Sequence, residues 1–322
     1  MLPPHLHLIW LSGIPPNTEE LPYRQRLLQW RELNPDWTLS LWSDVQGAEE
    51  EQLKKWCEAN TIVLQSIHNQ VKWGGEYSIF QDECARRFYV TASDLLRLRV
   101  LYQWGGFYAD FDVIPRRLPT GQLPLGIALV IVKRQEQVNS ILPHAIAAYA
   151  GHPILQMALW EAQTNFKLME SLPNEDYRNH KDPSYRYGAA LALTGDLFRP
   201  ALSLCLGVFP SDSFAWTGWL NVMQLGLDID HREDNSWLNG ERPAERIYPN
   251  LFMEAKRNRL VRQRSRPLTS ILHLAAAYGS TELIATAAKY IQPFEDYFGH
   301  TPRGLAQRFK RTPEILQRVP DV

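Results

Sequence analysis

Cysteine is scarce. The chain of 322 residues has three, Cys57, Cys84 and Cys205, far apart in sequence. So sparse and odd a set makes a poor disulfide framework and lacks zinc-ligand spacing; a reducing compartment is the simpler reading. No run of about 18 apolar residues is present, so no membrane span is expected. Met1-Leu2-Pro3-Pro4-His5 has neither the basic region nor the apolar stretch of a secretory signal. No excess of one charge exists either. The 34 basic and 35 acidic residues leave a net charge of -1, which argues against a dedicated nucleic-acid binder. No Walker-type phosphate loop and no haem or flavin motif occurs. What is present is ordinary for a folded protein: 45% hydrophobic and 21% charged residues, enough to bury a large core. The length suggests about two domains. Eleven tryptophans suggest an aromatic-rich core and stacking surfaces for flat ligands or sugars.

The first third alternates between strand and helix. His5 to Ser12 (HLHLIWLS) is a short apolar run expected as a buried first strand. Tyr23 to Leu33 has helical spacing and is closed by Asn34-Pro35. Thr38 to Trp42 is β-like, Glu49 to Ala59 is an amphipathic helix, and Thr61 to Leu64 is a further strand. This order favours an α/β fold with a mostly parallel sheet. Ala92 to Trp104 reads as the clearest helix, with Ser93 or Thr91 as cap and Gly105-Gly106 as stop. Phe107 to Val113 reads as a strand, and Ile127 to Val132 as a central one. Ile141 to Ala201 is expected to be mainly helical, broken by a polar stretch at Pro173 to Ser184, and Val208 to Phe214 as strand-like.

Chemistry concentrates at Asp110-Phe111-Asp112. On a regular strand, two carboxylates one residue apart share a side. Between apolar neighbours they are costly unless solvated or bound to a cation. Two hard oxygen donors suit Mg²⁺ or Mn²⁺, especially where phosphates supply further ligands. In open α/β sheets ligands gather outside the carboxyl ends of strands.

Ala92-Ser93-Asp94-Leu95-Leu96-Arg97, then Leu101-Tyr102, then Gly105 through Val113 (GGFYADFDV) resemble the DXD sugar-binding block of retaining GT-A glycosyltransferases. That group includes the catalytic domains of large clostridial toxins and the initiating mannosyltransferases. Ile9-Trp10-Leu11, Val138-Asn139 through Gly151-His152-Pro153, Ala192 to Gly195 and His231 to Trp237 resemble further pieces of the family in order. Where the family usually has Pro after that Thr-Gly turn, this chain has Asp196. The resemblance spans roughly residues 5–240. It implies a GT-A domain, a Rossmann-like nucleotide-diphospho-sugar transferase fold with helical insertions, over residues 1–253.

The resemblance also implies roles. Trp10 would stack on the nucleotide base, the alternative being core packing. Asp94 and Arg97, three apart on a helix, would bind sugar hydroxyls with Arg97 near the phosphates; the alternative is a solvated ion pair. Tyr108 would lie near the donor or in the core. Asp110 would touch the ribose or sugar, and Asp112 would coordinate a Mn²⁺ or Mg²⁺ ion. Asn235, Ser236 and Trp237 would close over the diphosphate, with Asn235 or Ser236 adding a metal ligand and Trp237 touching the β-phosphate. In the same segment His231 would be a supporting or lid residue, and Glu233 and Asp234 are substitute metal ligands. The implied reaction is metal-dependent, retaining transfer of a hexose or N-acetylhexosamine from a nucleotide sugar, with UDP-sugars first and GDP-mannose second. The acceptor is a hydroxyl, with proteins among the candidates.

The tail changes character. Glu254 to Arg266 carries six basic residues and reads as a solvated helix or linker; weak contact with an anionic membrane surface is a further option. Leu272 to Gly279 and Gly299 to Ala306 are offset copies of one theme, with Leu274 and Leu305 31 residues apart, close to the ankyrin period of about 33. Residues 267–322 thus resemble ankyrin-like helical repeats, against a generic helical hairpin as alternative. So few repeats need a neighbour to bury their faces. Together these features resemble bacterial effectors that glycosylate host proteins, which places the chain in a cytoplasm or delivers it into a host cytosol. Two competing functions remain at this level: an interaction scaffold on a degenerate transferase fold, and a nucleotide-sugar hydrolase.

Overall fold

The computed structural model describes residues 2–118, 123, 126–134, 137–173, 177–195, 197–198, 221–224, 247–264, 271–279, 281–288, 292–295 and 299–322. Its first half is a β-α-β-α-β unit. Strand β1 (His5–Trp10) leads through α1 (Tyr23–Leu33) to β2 (Thr38–Ser43), then through α2 (Ala48–Ala59) to β3 (Val63–Ser66). These strands pair in parallel, within one to two residues of the sequence-based expectation. A short helix α3 (Ile67–Gln70) and α4 (Tyr77–Ala85) lead into α5 (Tyr89–Trp104), followed by β4 (Gly106–Ala109). The sheet continues with β5 (Ile127–Arg134), β6 (Gln137–Ala148) and β7 (Asn221–Gln224), in the order β3-β2-β1-β4-β6-β5-β7. Only β6 runs antiparallel to its neighbours among these described strands.

Alternation along β1 sets the layers. Leu6 and Leu8 pack with Leu27 and Trp30 of α1, while Ile9 joins Leu95 and Leu98 of α5 on the other face. Helix α5 is buried along most of its length, as expected for a helix covered on more than one side. It starts earlier than the sequence suggested. Thr91 does not cap it but lies inside, its hydroxyl donating to the Phe88 carbonyl and to Glu83. Glycine is required where α5 meets β4. Gly106 has φ +103°, and a Cβ there would stand 2.3 Å from the His5 carbonyl oxygen.

Two segments differ from expectation. Residues 141–148 form a strand, not a helix, and helix begins only at α6 (Pro153–Glu170). The Ala-rich run is held in β6 by antiparallel pairing on both sides, Ala109 opposite Ala145 and Leu129 opposite Ile146. Pro143 falls where the β5–β6 register shifts, a place that tolerates a missing N–H. The expected strand at 208–214 lies outside the described residues.

Beyond η1 (Tyr177–Asn179, a 3-10 turn) come α7 (Pro183–Ala190) and a π-helical turn over Leu191–Gly195. The basic run falls on α8 (Asn250–Arg264). Its Lys256 donates to the Ala192 carbonyl, and Arg259 pairs with Glu161 of α6. The tail holds α9 (Ile271–Tyr278), α10 (Thr281–Ala287), α11 (Pro302–Arg308) and α12 (Pro313–Arg318). Leu272, Ala276, Ile284 and Ala306 share one core cluster with Leu155 and Ala158 of α6. Arg308 lies 4.3 Å over the Trp160 ring, and His300 stacks on the same ring. No described helix is long and apolar enough to cross a membrane.

His7 is buried in β1 at 1% exposure. Its Nε2 donates to the Gly105 carbonyl at 2.8 Å, and its Nδ1 accepts from Trp42 Nε1 at 3.2 Å. Protonating Nδ1 would set two donors against each other. Burial, against the raising effect of that carbonyl, pushes its pKa down from 6.5 to about 4. The folded state therefore disfavours the proton that the unfolded chain accepts below 6.5. Stability present above that pH is lost as pH falls from 6.5 to 4, by up to about 3 kcal/mol. His7→Gln, which keeps donor and acceptor but does not titrate, should flatten the melting-temperature profile over that window.

Candidate active site

The carboxyl ends of β1 and β4 open into one cavity of about 890 Å³. Its walls come from the turn after β1, the N-terminal half of α5, the turn after β4, residues 142–144 of β6, and the α7–π-turn segment. All the described residues expected at the site line it: Trp10, Asp94, Arg97, Tyr108, Asp110 and Asp112. Asn235, Ser236 and Trp237, with His231, Glu233 and Asp234, lie outside the described residues. So does Asp196.

The acidic pair does not sit on a strand. β4 ends at Ala109, and Asp110 to Val113 make a turn closed by the Val113 N–H on the Asp110 carbonyl at 3.1 Å. Phe111 is the reason. Its ring packs 5.4 Å from Trp10 and 5.3 Å from Tyr23, and its carbonyl accepts from Arg26 at 2.7 Å. Anchoring that residue breaks the strand and leaves each carboxylate in its own environment.

Asp110 is the hub. Its carboxylate accepts from Arg97 at 3.2 Å, from His144 Nδ1 at 3.0 Å and from the Tyr108 hydroxyl. Arg97 also holds Asp94 at 2.9 Å and donates to the Pro143 carbonyl at 2.8 Å. The Asp94 and Arg97 side chains are only 7% and 5% exposed, so the solvated ion-pair alternative is overturned. Burial alone would raise both carboxyls. For Asp110 the Arg97 charge, the His144 contact and the Tyr108 hydroxyl win, holding it well below the usual carboxylate range. For Asp94 burial wins over Arg97 and the Thr194 hydrogen bond, and its pKa is raised. Two acids on one arginine are thereby set apart. Burial works against the Arg97 charge, but Asp110, Tyr108 and Asp94 hold its pKa above the ordinary value.

Trp10 meets the core through Tyr23, 5.1 Å away, while still lining the cavity. Its indole Nε1 is buried with no hydrogen-bond partner among the described residues. Tyr108 has its ring in the core and its hydroxyl on Asp110; Arg97 lies 4.7 Å over that ring. Sequence reasoning missed His144, Arg87, Tyr89 and Arg186, which also line the cavity. His144 was hidden because it depends on β6 being a strand: the Asp110 N–H donates to the His144 carbonyl across that pairing. The run 141–148 (ILPHAIAA) carries no alternation that would have marked it as a strand.

Residues 23–127 match the family model described as "glycosyltransferase sugar-binding region containing DXD motif". That stretch contains Asp94, Arg97, Asp110 and Asp112. A toxin of Photorhabdus asymbiotica is 26% identical over 175 residues, covering 51% of this chain and 6% of that protein. The chain therefore spans a small part of the curated relative it matches. The solved PaToxG glycosyltransferase is similar in fold, with a TM-score of 0.52 and 20% identity, covering 79% of this chain and 83% of that one. The UDP-bound glycosyltransferase domain of the YGT toxin gives a TM-score of 0.47 at 12% identity, over 89% and 97% of the two chains.

Removing Arg97 would leave the buried Asp94 and the partly buried Asp110 without their cation. Arg97→Ala should destabilise the fold by about 3–5 kcal/mol, read as a lower urea midpoint at pH 7. A loss under 1 kcal/mol would show that water already reaches the cluster.

Proposed function

We propose that this chain is a metal-dependent, retaining glycosyltransferase of the DXD type. It would move a hexose or N-acetylhexosamine from a nucleotide sugar, a UDP-sugar first and GDP-mannose second, to a hydroxyl acceptor. The observation that carries the reading is Arg97 bridging Asp94 and Asp110 beside Asp112 in one cavity. Carboxylate oxygens held rigid by a buried cation suit recognition of sugar and ribose hydroxyls. Asp94 and Asp110 take that role. Trp10, on the cavity wall, would offer an aromatic face to the base.

Asp112 is the described residue whose chemistry fits a cation. Asp110 is held by Arg97, His144 and Tyr108, and Asp112 presents a hard oxygen donor on the cavity wall. Mg²⁺ or Mn²⁺ held there with donor phosphate oxygens would neutralise charge on the leaving diphosphate. Arg97 adds fixed positive charge in a site of low exposure, where it acts strongly. The anomeric C–O bond breaks with its electron pair going to the β-phosphate oxygen. The acceptor oxygen bonds to the same face of the sugar carbon, and its proton passes to the leaving phosphate.

The tail fits the same reading as a partner-binding element. Two helical hairpins packed on α6 resemble ankyrin-like repeats, and a protein acceptor in a host cytosol would suit them. Residues 1–253 would then form the transferase domain, 254–266 the joining helix and 267–322 the repeats.

A screen of UDP- and GDP-sugars with Mn²⁺ or Mg²⁺, scoring nucleotide release, tests the reading. One donor should be turned over in a metal-dependent way, and Asp112→Ala should lower that rate by roughly a hundredfold. No release from any donor, together with no metal-dependent nucleotide binding, would move the weight to a binding scaffold.

A further inference from the structure

Helix α4 ends in an unusual way. The Phe88 N–H donates to the Glu83 carbonyl at 2.8 Å and the Arg87 N–H to the Cys84 carbonyl at 3.0 Å. This is the Schellman pattern, in which the residue after the cap adopts the left-handed conformation and is usually glycine or asparagine. Here that residue is Arg87, with φ +61°. Strain of this kind in a non-glycine residue points to a use for the side chain. The side chain is exposed and lines the cavity.

Arg186 of α7 lies alongside. Its guanidinium stands 4.5 Å over the ring of Phe88, the residue after Arg87, and it too is exposed and lines the cavity. Neither arginine forms an ion pair or hydrogen bond through its side chain with another described residue. Arg97, the other arginine on the wall, is already committed to Asp94 and Asp110. Glu49 also lines the cavity but pairs with neither exposed arginine. Tyr89 and Arg97 are eight residues apart on α5, about 12 Å along its axis. Arg87 precedes that helix, and both arginines are exposed whereas Asp94 and Arg97 are buried, which puts the exposed pair on the open side of the cavity.

The geometry points to a second, anionic subsite: Arg87 and Arg186 receive an acidic group of the acceptor, held near the hydroxyl that takes the sugar. The meaning of "acceptor" rests on the transferase reading; the anion preference of the mouth does not. Two guanidinium groups without carboxylate partners among the described residues can give charge-assisted, forked hydrogen bonds to a carboxylate or phosphate. The donor sits on the floor, where Asp94, Asp110 and Asp112 are.

Fluorescence anisotropy tests this with the full chain and a labelled, Glu-rich Ser/Thr peptide, against its Gln counterpart. Wild type should bind the Glu peptide more tightly, and added salt should erode the difference. Arg87→Gly and Arg186→Gln should each weaken Glu-peptide binding by about tenfold. Arg87→Gly should also raise Tm by about 2 °C through relief of the strained cap, which separates lost contact from lost fold. In the same samples, affinity for UDP and GDP with Mn²⁺ should change by less than about twofold. Equal binding of the Glu and Gln peptides, or unchanged Glu-peptide binding in both variants, would overturn the proposal. A fall in nucleotide affinity that parallels the peptide loss would also overturn it, by assigning the arginines to the donor. Arginine-dependent preference for the Glu peptide in a protein that binds no nucleotide would support the subsite and sink the transferase reading.

Discussion

The buried guanidinium of Arg97 organises this structure. It joins three elements at one point: its own helix α5 through Asp94, the turn after β4 through Asp110, and β6 through the Pro143 carbonyl. The buried Asp94 would be costly without a partner, and the partly buried Asp110 draws charge support from the same cation. The cation in turn needs both of them. The cluster therefore ties the sheet to the helix behind it at the carboxyl edge of β1 and β4. The carboxylate oxygens become fixed rather than mobile, which on the proposed reading lowers the ordering cost of gripping a sugar.

Much of this was legible in the sequence, and the failures have physical reasons. The first five elements follow from short apolar runs and three-to-four spacing, because each has one dominant neighbour layer. Strand β6 was obscured by its alanines and Pro143, which carry weak strand preference; the pairing with β4 and β5 supplies what local propensity does not. With β6 misread, His144 could not be placed opposite Asp110. The turn at Asp110 to Asp112 depends on Phe111 entering a cluster with Trp10 and Tyr23, a contact between residues about a hundred positions apart. Spacing alone could find the carboxylates and the arginine but not their division of labour.

The tail shows a second dependence. Its helices contribute to the same apolar cluster as α6, and Trp160 is gripped by Arg308 and His300. Helix α8 adds the buried Arg259–Glu161 pair on the same α6 surface. Short helices that would be marginal alone are thus completed by packing on α6. Helix α6 lies against α5, so one stack of helices runs from the tail to the floor of the cavity.

The central claim is that the cavity around Arg97 receives a nucleoside diphosphate together with a divalent cation. Calorimetric titration of the wild-type chain with UDP and with GDP, in Mn²⁺ and then in EDTA, addresses it directly. The account predicts that one nucleotide binds at least about tenfold more tightly with the metal than without it. A folded protein that binds neither nucleotide under either condition would contradict it.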